Sequence, residues 1–238
     1  MKSFRRTTVF FALLALCAGA IPASAADEEG VALAIVYDTS GSMKEAVKDD
    51  AGKFSPKYLV ANRALVAIAN RIEAFAAKGT AGGPRNIRAG LFVFQKDGPQ
   101  AVLPLAPFKA APFITWAHGF TEPIGGTPLG EALNVAGRAV LHSGLTRKHV
   151  LIITDGENTV GPRPDVTLPA LQREAGQKQT GVSVHFVAFD VDAKVFAGVK
   201  KLGATVVGAA NESQLNTQLE FILEKKILLE DEEPPKKQ

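Results

Sequence analysis

Uninterrupted apolar runs alternate along the chain with stretches whose apolar residues recur every three or four positions. Residues 31–37 (VALAIVY) form an unbroken apolar run that stops at a polar loop, the pattern of a parallel strand covered on both faces. Ser55-Pro56 predicts a helix start, with Ser as cap and Pro in the first turn, and Ala61, Leu65, Ile68, Ile72 and Phe75 then fall on one helical face. The run GTAGGP at 79–84 breaks that helix. Residues 87–94 and 101–105 read as strands. The short turn Lys96-Asp97-Gly98 between them predicts a hairpin, hence one antiparallel edge strand.

Gly125-Gly126-Thr127-Pro128 opens a second helix with Leu129, Leu133, Ala136 and Val140 on one face. Beyond it, 150–153 reads as a buried strand, 167–178 as a helix and 182–189 as a strand. A short helix at 193–202, a short strand at 204–207 and an amphipathic helix at 213–229 follow, the last with Leu215, Leu219 and Ile222 inward. Strands alternating with helices predict an α/β fold with a doubly wound, mostly parallel central sheet and helices on both faces. Ligands bind such sheets at the carboxyl ends of the strands.

Composition narrows the class. The chain has 238 residues and 46% hydrophobic content, enough for one sizeable core. A single Cys excludes a disulfide scaffold and any Cys-rich zinc module. Residues 1–6 are basic, 9–21 apolar and uncharged, and Ala23-Ser24-Ala25 is a small-x-small tripeptide. That order predicts a signal peptide over 1–25, cleaved after Ala25. Two other readings stay open: a retained anchor, although the run is short of the roughly 20 residues a spanning helix needs, and a lipoprotein, although Leu16 before Cys17 is large for that processing. Cleavage would leave a chain without cysteine, suited to an oxidising compartment. The expected location is therefore periplasmic or secreted, with no stable membrane insertion of the mature chain. Lys2, Arg5 and Arg6 carry the whole basic excess over the acidic residues, and no Lys/Arg stripe occurs elsewhere, so nucleic acid is not an expected partner. The expected domain spans 26–229, followed by a flexible charged tail at 230–238 (EDEEPPKKQ).

Two predicted strands end in aspartate. One runs into Asp38-Thr39-Ser40-Gly41-Ser42, the other into Thr154-Asp155-Gly156-Glu157-Asn158. Both aspartates belong at the same sheet edge, and Thr127, after two glycines at a helix start, can join them. Hydroxyl and carboxylate oxygens suit a hard divalent cation such as Mg²⁺, whose charge two carboxylates would balance. Considered singly, Asp38 and Ser40 also fit a polar strand-end turn, Thr127 a helix cap and Asp155-Gly156 a turn.

Asp38-x-Ser40-x-Ser42, Thr127 and Asp155 together match all five positions of the metal-ion-dependent adhesion site. The chain resembles a von Willebrand factor type A domain, the fold of integrin inserted domains, over about residues 31–229. That resemblance implies hydroxyl ligands from Ser40, Ser42 and Thr127, with Asp38 and Asp155 bound directly or through water. It implies Mg²⁺, with Mn²⁺ or Ca²⁺ as substitutes, and a protein partner whose acidic residue completes the metal shell. The expected function is a non-enzymatic, exported, metal-dependent adhesion or adaptor module. A metal-dependent phosphohydrolase is the alternative, but the position two residues after Asp38 is Ser40, which is no general acid near neutral pH. No G-x-S-x-G elbow or phosphate-binding G-x-x-x-x-G-K-[ST] loop occurs either. A structural envelope component whose metal only stabilises it is the third reading. His118, His142, His149 and His185 are expected to be structural or exposed, with His185 a paired core residue. Trp116, Phe113 and Phe120 are expected to pack. The charged loop 44–54 is expected to be a solvated rim and, with 120–124 and 159–165, the first place to seek partner specificity.

Overall fold

A computed structural model describes residues 27–79, 83–95 and 98–228. The expected signal peptide and its cleavage position, the charged tail, and Lys96 and Asp97 of the predicted turn lie outside the described residues.

In chain order, β1 (Glu28–Tyr37) leads through a short 3₁₀ turn to a small hairpin, β2 (Ala46–Lys48) and β3 (Phe54–Pro56), and then to α1 (Lys57–Lys78). Next come β4 (Ile87–Gln95), β5 (Gly98–Pro107), α2 (Ala110–Gly119) and α3 (Leu129–Leu141). The rest is β6 (Leu145–Thr154), α4 (Pro164–Gln177), β7 (Ser183–Phe189), α5 (Ala197–Lys201), β8 (Thr205–Ala209) and α6 (Glu212–Ile222). The main sheet runs β5-β4-β1-β6-β7-β8. β5 alone is antiparallel; every other pairing in it is parallel. The predicted doubly wound sheet with one antiparallel edge strand is therefore the observed fold.

The unbroken apolar runs are explained by burial on both sides. Leu33, Ile35 and Tyr37 of β1 face one core with α1, α2 and α6, whereas Ala32, Ala34 and Val36 face the other with α3, α4 and α5. The two small β1 residues sit on the α3 side. There Gly130 is obligatory, because a Cβ on it would lie 2.0 Å from the Pro162 carbonyl oxygen.

Four local expectations need correction. Ser55 does not cap α1: its hydroxyl donates to Asp49 Oδ2, and Ser55-Pro56 belongs to β3. The loop 44–54 is not simply a solvated rim, since β2 and β3 pair across it. The α2 helix was not visible in the pattern: Lys109 at its start supplies no cap, the Ala110 N–H donating instead to Glu73 of α1, and it carries Pro112 near its start and is apolar almost all round. The final helix is regular only to Ile222 and continues as π-helical turns over Leu223–Leu228.

The expected core pairing of His185 is with His149. These neighbours on β7 and β6 stack with ring centroids 5.6 Å apart, and Nδ1 of His149 lies 3.3 Å from Nε2 of His185. Burial pushes His149 down to about 3, helped by His185 and Arg147, and pushes His185 down to about 4, helped by Lys226. The unfolded chain takes up both protons below about pH 6.5, whereas the native chain does not until near pH 4. The contribution of the two histidines is therefore complete above pH 6.5 and falls as pH drops, by up to about 2 kcal/mol per histidine at pH 5. Denaturant titrations at pH 7 and pH 5 check this: His149→Gln/His185→Gln should lose less stability between the two pH values than the wild type.

Candidate metal centre

Strand order places the site. β1 lies between β4 and β6, and the chain leaves it first towards one sheet edge and later towards the other, which opens a crevice at its carboxyl end. The β1–β6 register aligns Tyr37 with Ile153, so Asp38 emerges beside Thr154 and one residue from Asp155. The Asp38 backbone N–H still donates to the Ile153 carbonyl at 3.0 Å. Thr39 pins the loop from the other side: its hydroxyl donates to the Phe94 carbonyl and accepts from the Phe94 N–H. Above it, Ile124 N–H donates to the Thr39 carbonyl and Gly41 N–H to the Gly125 carbonyl. The glycine pair before Thr127 is thereby docked onto the Asp38–Ser42 turn.

The five residues singled out in the sequence converge. Asp38 accepts from Ser40 N–H at 2.8 Å and from the Thr154 hydroxyl at 2.6 Å. The Ser40 and Ser42 hydroxyls lie 3.1 Å apart, and Ser42 donates to Asp155 Oδ1 at 2.8 Å. A Cβ on Gly156 would sit 3.9 Å from both Ser42 Oγ and Thr127 Oγ1, which puts the third hydroxyl across the same hollow. The N-cap position of α3 is Pro128, so Thr127 stands one residue ahead of the cap rather than in it. Its backbone N–H donates to the Thr159 hydroxyl at 2.7 Å. Asp38, Ser40, Thr127 and Asp155 are all buried. No three His, Cys, Asp or Glu side chains converge as a metal cluster among the described residues. The donor set is thus two carboxylates with three hydroxyls, oxygen throughout, which fits a hard cation rather than a soft one.

The electrostatics are costly without an ion. Burial, and next the charge on Asp155, push Asp38 up to about 6, against the hydrogen bonds from Ser40 and Thr154. Burial also raises Asp155, and Ser42 and Lys57 oppose it. Lys57 was missed in the sequence. It opens α1, is 3% exposed, and its ammonium reaches Glu45 at 2.8 Å, Asp155 at 3.1 Å and Asp190 at 3.1 Å. Burial works against that charge, but the three carboxylates outweigh it and hold Lys57 well above the usual lysine value. No spacing rule links 45, 57, 155 and 190; only the fold assembles them. Asn158 braces the loop, accepting from Gly130 N–H and donating to the Val160 and Gly161 carbonyls.

An α/β protein with oxygen donors gathered at the carboxyl edge of a parallel sheet is the class these features define. The chain belongs to the von Willebrand factor type A domain family, whose profile matches residues 33–157, more than half of its length. Among curated proteins, none matches the chain in sequence. Solved structures share the fold at low identity. A D319A mutant of the PilB minor pilin from Streptococcus sanguinis is 14% identical with a TM-score of 0.64, over 87% of this chain and 64% of that one. Proximal thread matrix protein 1 from the mussel byssus, with a zinc-occupied adhesion-site motif, is 17% identical with a TM-score of 0.60, over 84% of this chain and 48% of that one. The von Willebrand domain of the type V pili tip protein Mfa5 from Porphyromonas gingivalis is 15% identical with a TM-score of 0.56, over 83% and 95%. The chain therefore spans less than two thirds of the pilin and byssus chains.

Because Asp38 is a buried charge facing a second carboxylate, Asp38→Asn should stabilise the metal-free protein at pH 7 by about 2 kcal/mol. Thermal unfolding in EDTA checks this. The same variant should lose any upward shift that Mg²⁺ gives the wild type.

Proposed function

We propose that this protein is an exported adhesion or adaptor module that binds a divalent cation, Mg²⁺ or else Mn²⁺ or Ca²⁺, and through it an acidic residue of a protein partner. The observation that carries the reading is the convergence of Asp38, Ser40, Ser42, Thr127 and Asp155 on one hollow at the sheet edge. In it, Ser40, Ser42 and Thr127 would hold the ion with Asp38 and Asp155 balancing its charge, and a partner carboxylate would complete the shell. The bound ion supplies an electrostatic bridge, and no catalytic step is assigned to the site. The domain is taken as 26–229, after a signal peptide cleaved at Ala25 and before the tail 230–238, and the location as periplasmic or secreted. Two fold neighbours are a minor pilin and a pilus tip domain, and a third holds zinc at the same kind of motif, which supports an adhesive role outside the cytoplasm. Among the described residues no helix is long and apolar enough to cross a membrane, in keeping with a chain that is not inserted.

The rim suits a protein ligand. Ile124 is 77% exposed beside the docked glycines, and Val160, 50% exposed, abuts Gly126. An acidic side chain entering the hollow would bring its apolar neighbours against these two residues. Both lie in or beside segments first marked for specificity, 120–124 and 159–165.

Calorimetric titration with Mg²⁺, followed by capture of envelope proteins in Mg²⁺ and in EDTA, tests the reading. A specific partner held only with Mg²⁺, and lost in Asp38→Ala, is the expected result. Identical capture in both conditions would refute the bridge. Ile124→Ser should weaken capture about tenfold while leaving the Mg²⁺ titration unchanged, as removal of one buried apolar anchor from an interface does.

A further inference from the structure

Lys57 has no role among the five donors, yet it is buried against one of them. A buried ammonium is costly unless every proton finds a partner. Here its three protons meet three carboxylates from three separate segments: Glu45 after the 3₁₀ turn, Asp155 after β6 and Asp190 after β7. Its position also runs against local helix physics. Lys57 is the first residue of α1, where the exposed N–H groups disfavour a cation, and the first turn carries no acidic residue to offset it. Asp190 adopts a left-handed backbone, φ 54°, unusual for a non-glycine residue, while its carboxylate holds Lys57. These costs are borne at one place, where Asp155, Glu45 and Asp190 would otherwise come together with no positive charge between them.

We propose that Lys57 is the resident countercharge of the metal centre: it holds the acidic segments together when no ion is bound and weakens the ion's binding by occupying Asp155. Asp155 divides its oxygens, Oδ1 to the Ser42 hydroxyl and Oδ2 to the ammonium. The ammonium thus leaves the donor arrangement intact while drawing on the charge a cation needs. Glu45 and Asp190 share the ammonium and so free part of Asp155 for the ion. The fold then stands without metal, and the ion is a reversible ligand rather than a structural one. This inference rests on the metal reading above.

The test is Mg²⁺ titration calorimetry and thermal unfolding, with and without EDTA, on the wild type, Lys57→Met and Glu45→Gln. Lys57→Met should bind Mg²⁺ about tenfold more tightly, since a like charge is removed from beside Asp155, one of the two carboxylates that would balance the ion. It should also unfold at a lower temperature in EDTA and recover more of that loss with Mg²⁺ than the wild type gains. Glu45→Gln, at an exposed carboxylate, should bind Mg²⁺ about threefold more weakly by leaving more of the ammonium to Asp155. Lys57→Met binding no tighter than a wild type that does bind overturns the inference alone. Absence of Mg²⁺ binding in both overturns the metal reading and the inference with it. Binding in Lys57→Met but not in the wild type supports both. If Lys57→Met does not fold, unchanged affinity in Glu45→Gln overturns the inference.

Discussion

Two carboxylates, Asp38 and Asp155, leave adjacent parallel strands and meet in a buried hollow, and the cost of burying their charges is the constraint that the polar groups around them answer. Neither would stay charged in such a place without donors aimed at it. The surrounding polar groups are placed for that purpose. Ser40 N–H and the Thr154 hydroxyl serve Asp38, and Ser42 and Lys57 serve Asp155. The turn at 38–42 is itself fastened to β4 by Thr39 and to the loop before α3 by the Gly41 and Ile124 backbones. The result is a cup of oxygen atoms held by hydrogen bonds, which under the proposed function would take a cation without a large rearrangement of the chain.

The packing beneath the cup sustains it. β1 is covered on both faces, with small residues towards α3 and large ones towards α1 and α2. Tyr37, the last β1 residue before Asp38, is clamped by Trp116 and Phe120 and donates its hydroxyl to Asn62. Trp116, Phe113 and Phe120 pack as expected: Trp116 and Phe120 anchor the strand end from which Asp38 projects, while Phe113 packs against Phe108. On the far side, bidentate pairing of Arg63 with Glu212 ties α1 to the start of α6, and the Asp50 N–H reaches the same carboxylate from the β2–β3 hairpin. Helices α1 and α6 are thereby joined by charge as well as by apolar contact.

Some parts of this arrangement were legible in the one-dimensional pattern because they are local. A strand buried on both faces reads as an apolar run, so β1, the 150–153 part of β6 and β7 are plain, whereas the polar start of β6 from Thr146 to His149 is not. An amphipathic helix shows its period, so α1, α3 and α6 are plain. The Asp38–Ser42 turn can be read as a set of oxygen donors because its spacing is short. The misreadings also share a cause. Ser55-Pro56 has the composition of a helix cap, but Asp49 captures the serine hydroxyl across a hairpin that neither segment announces. The α2 helix is too evenly apolar to show a face, although only Ala110, Phe113 and Ala117 of it are buried.

The sequence by itself determined the class of fold, the edge of the sheet at which chemistry had to lie and the five oxygen-bearing residues worth following. These follow from short-range constraints: burial, periodicity and the geometry of a turn. Only the tertiary structure decided that Thr127 comes across to Ser42, that Lys57 belongs among the carboxylates, and that Glu45 and Asp190 share it. Those groups come from the ends of different strands and helices, brought together by sheet order and β1–β6 register. Electrostatic energy depends on distance in space, and distance along the chain carries almost no information about it once a crossover intervenes.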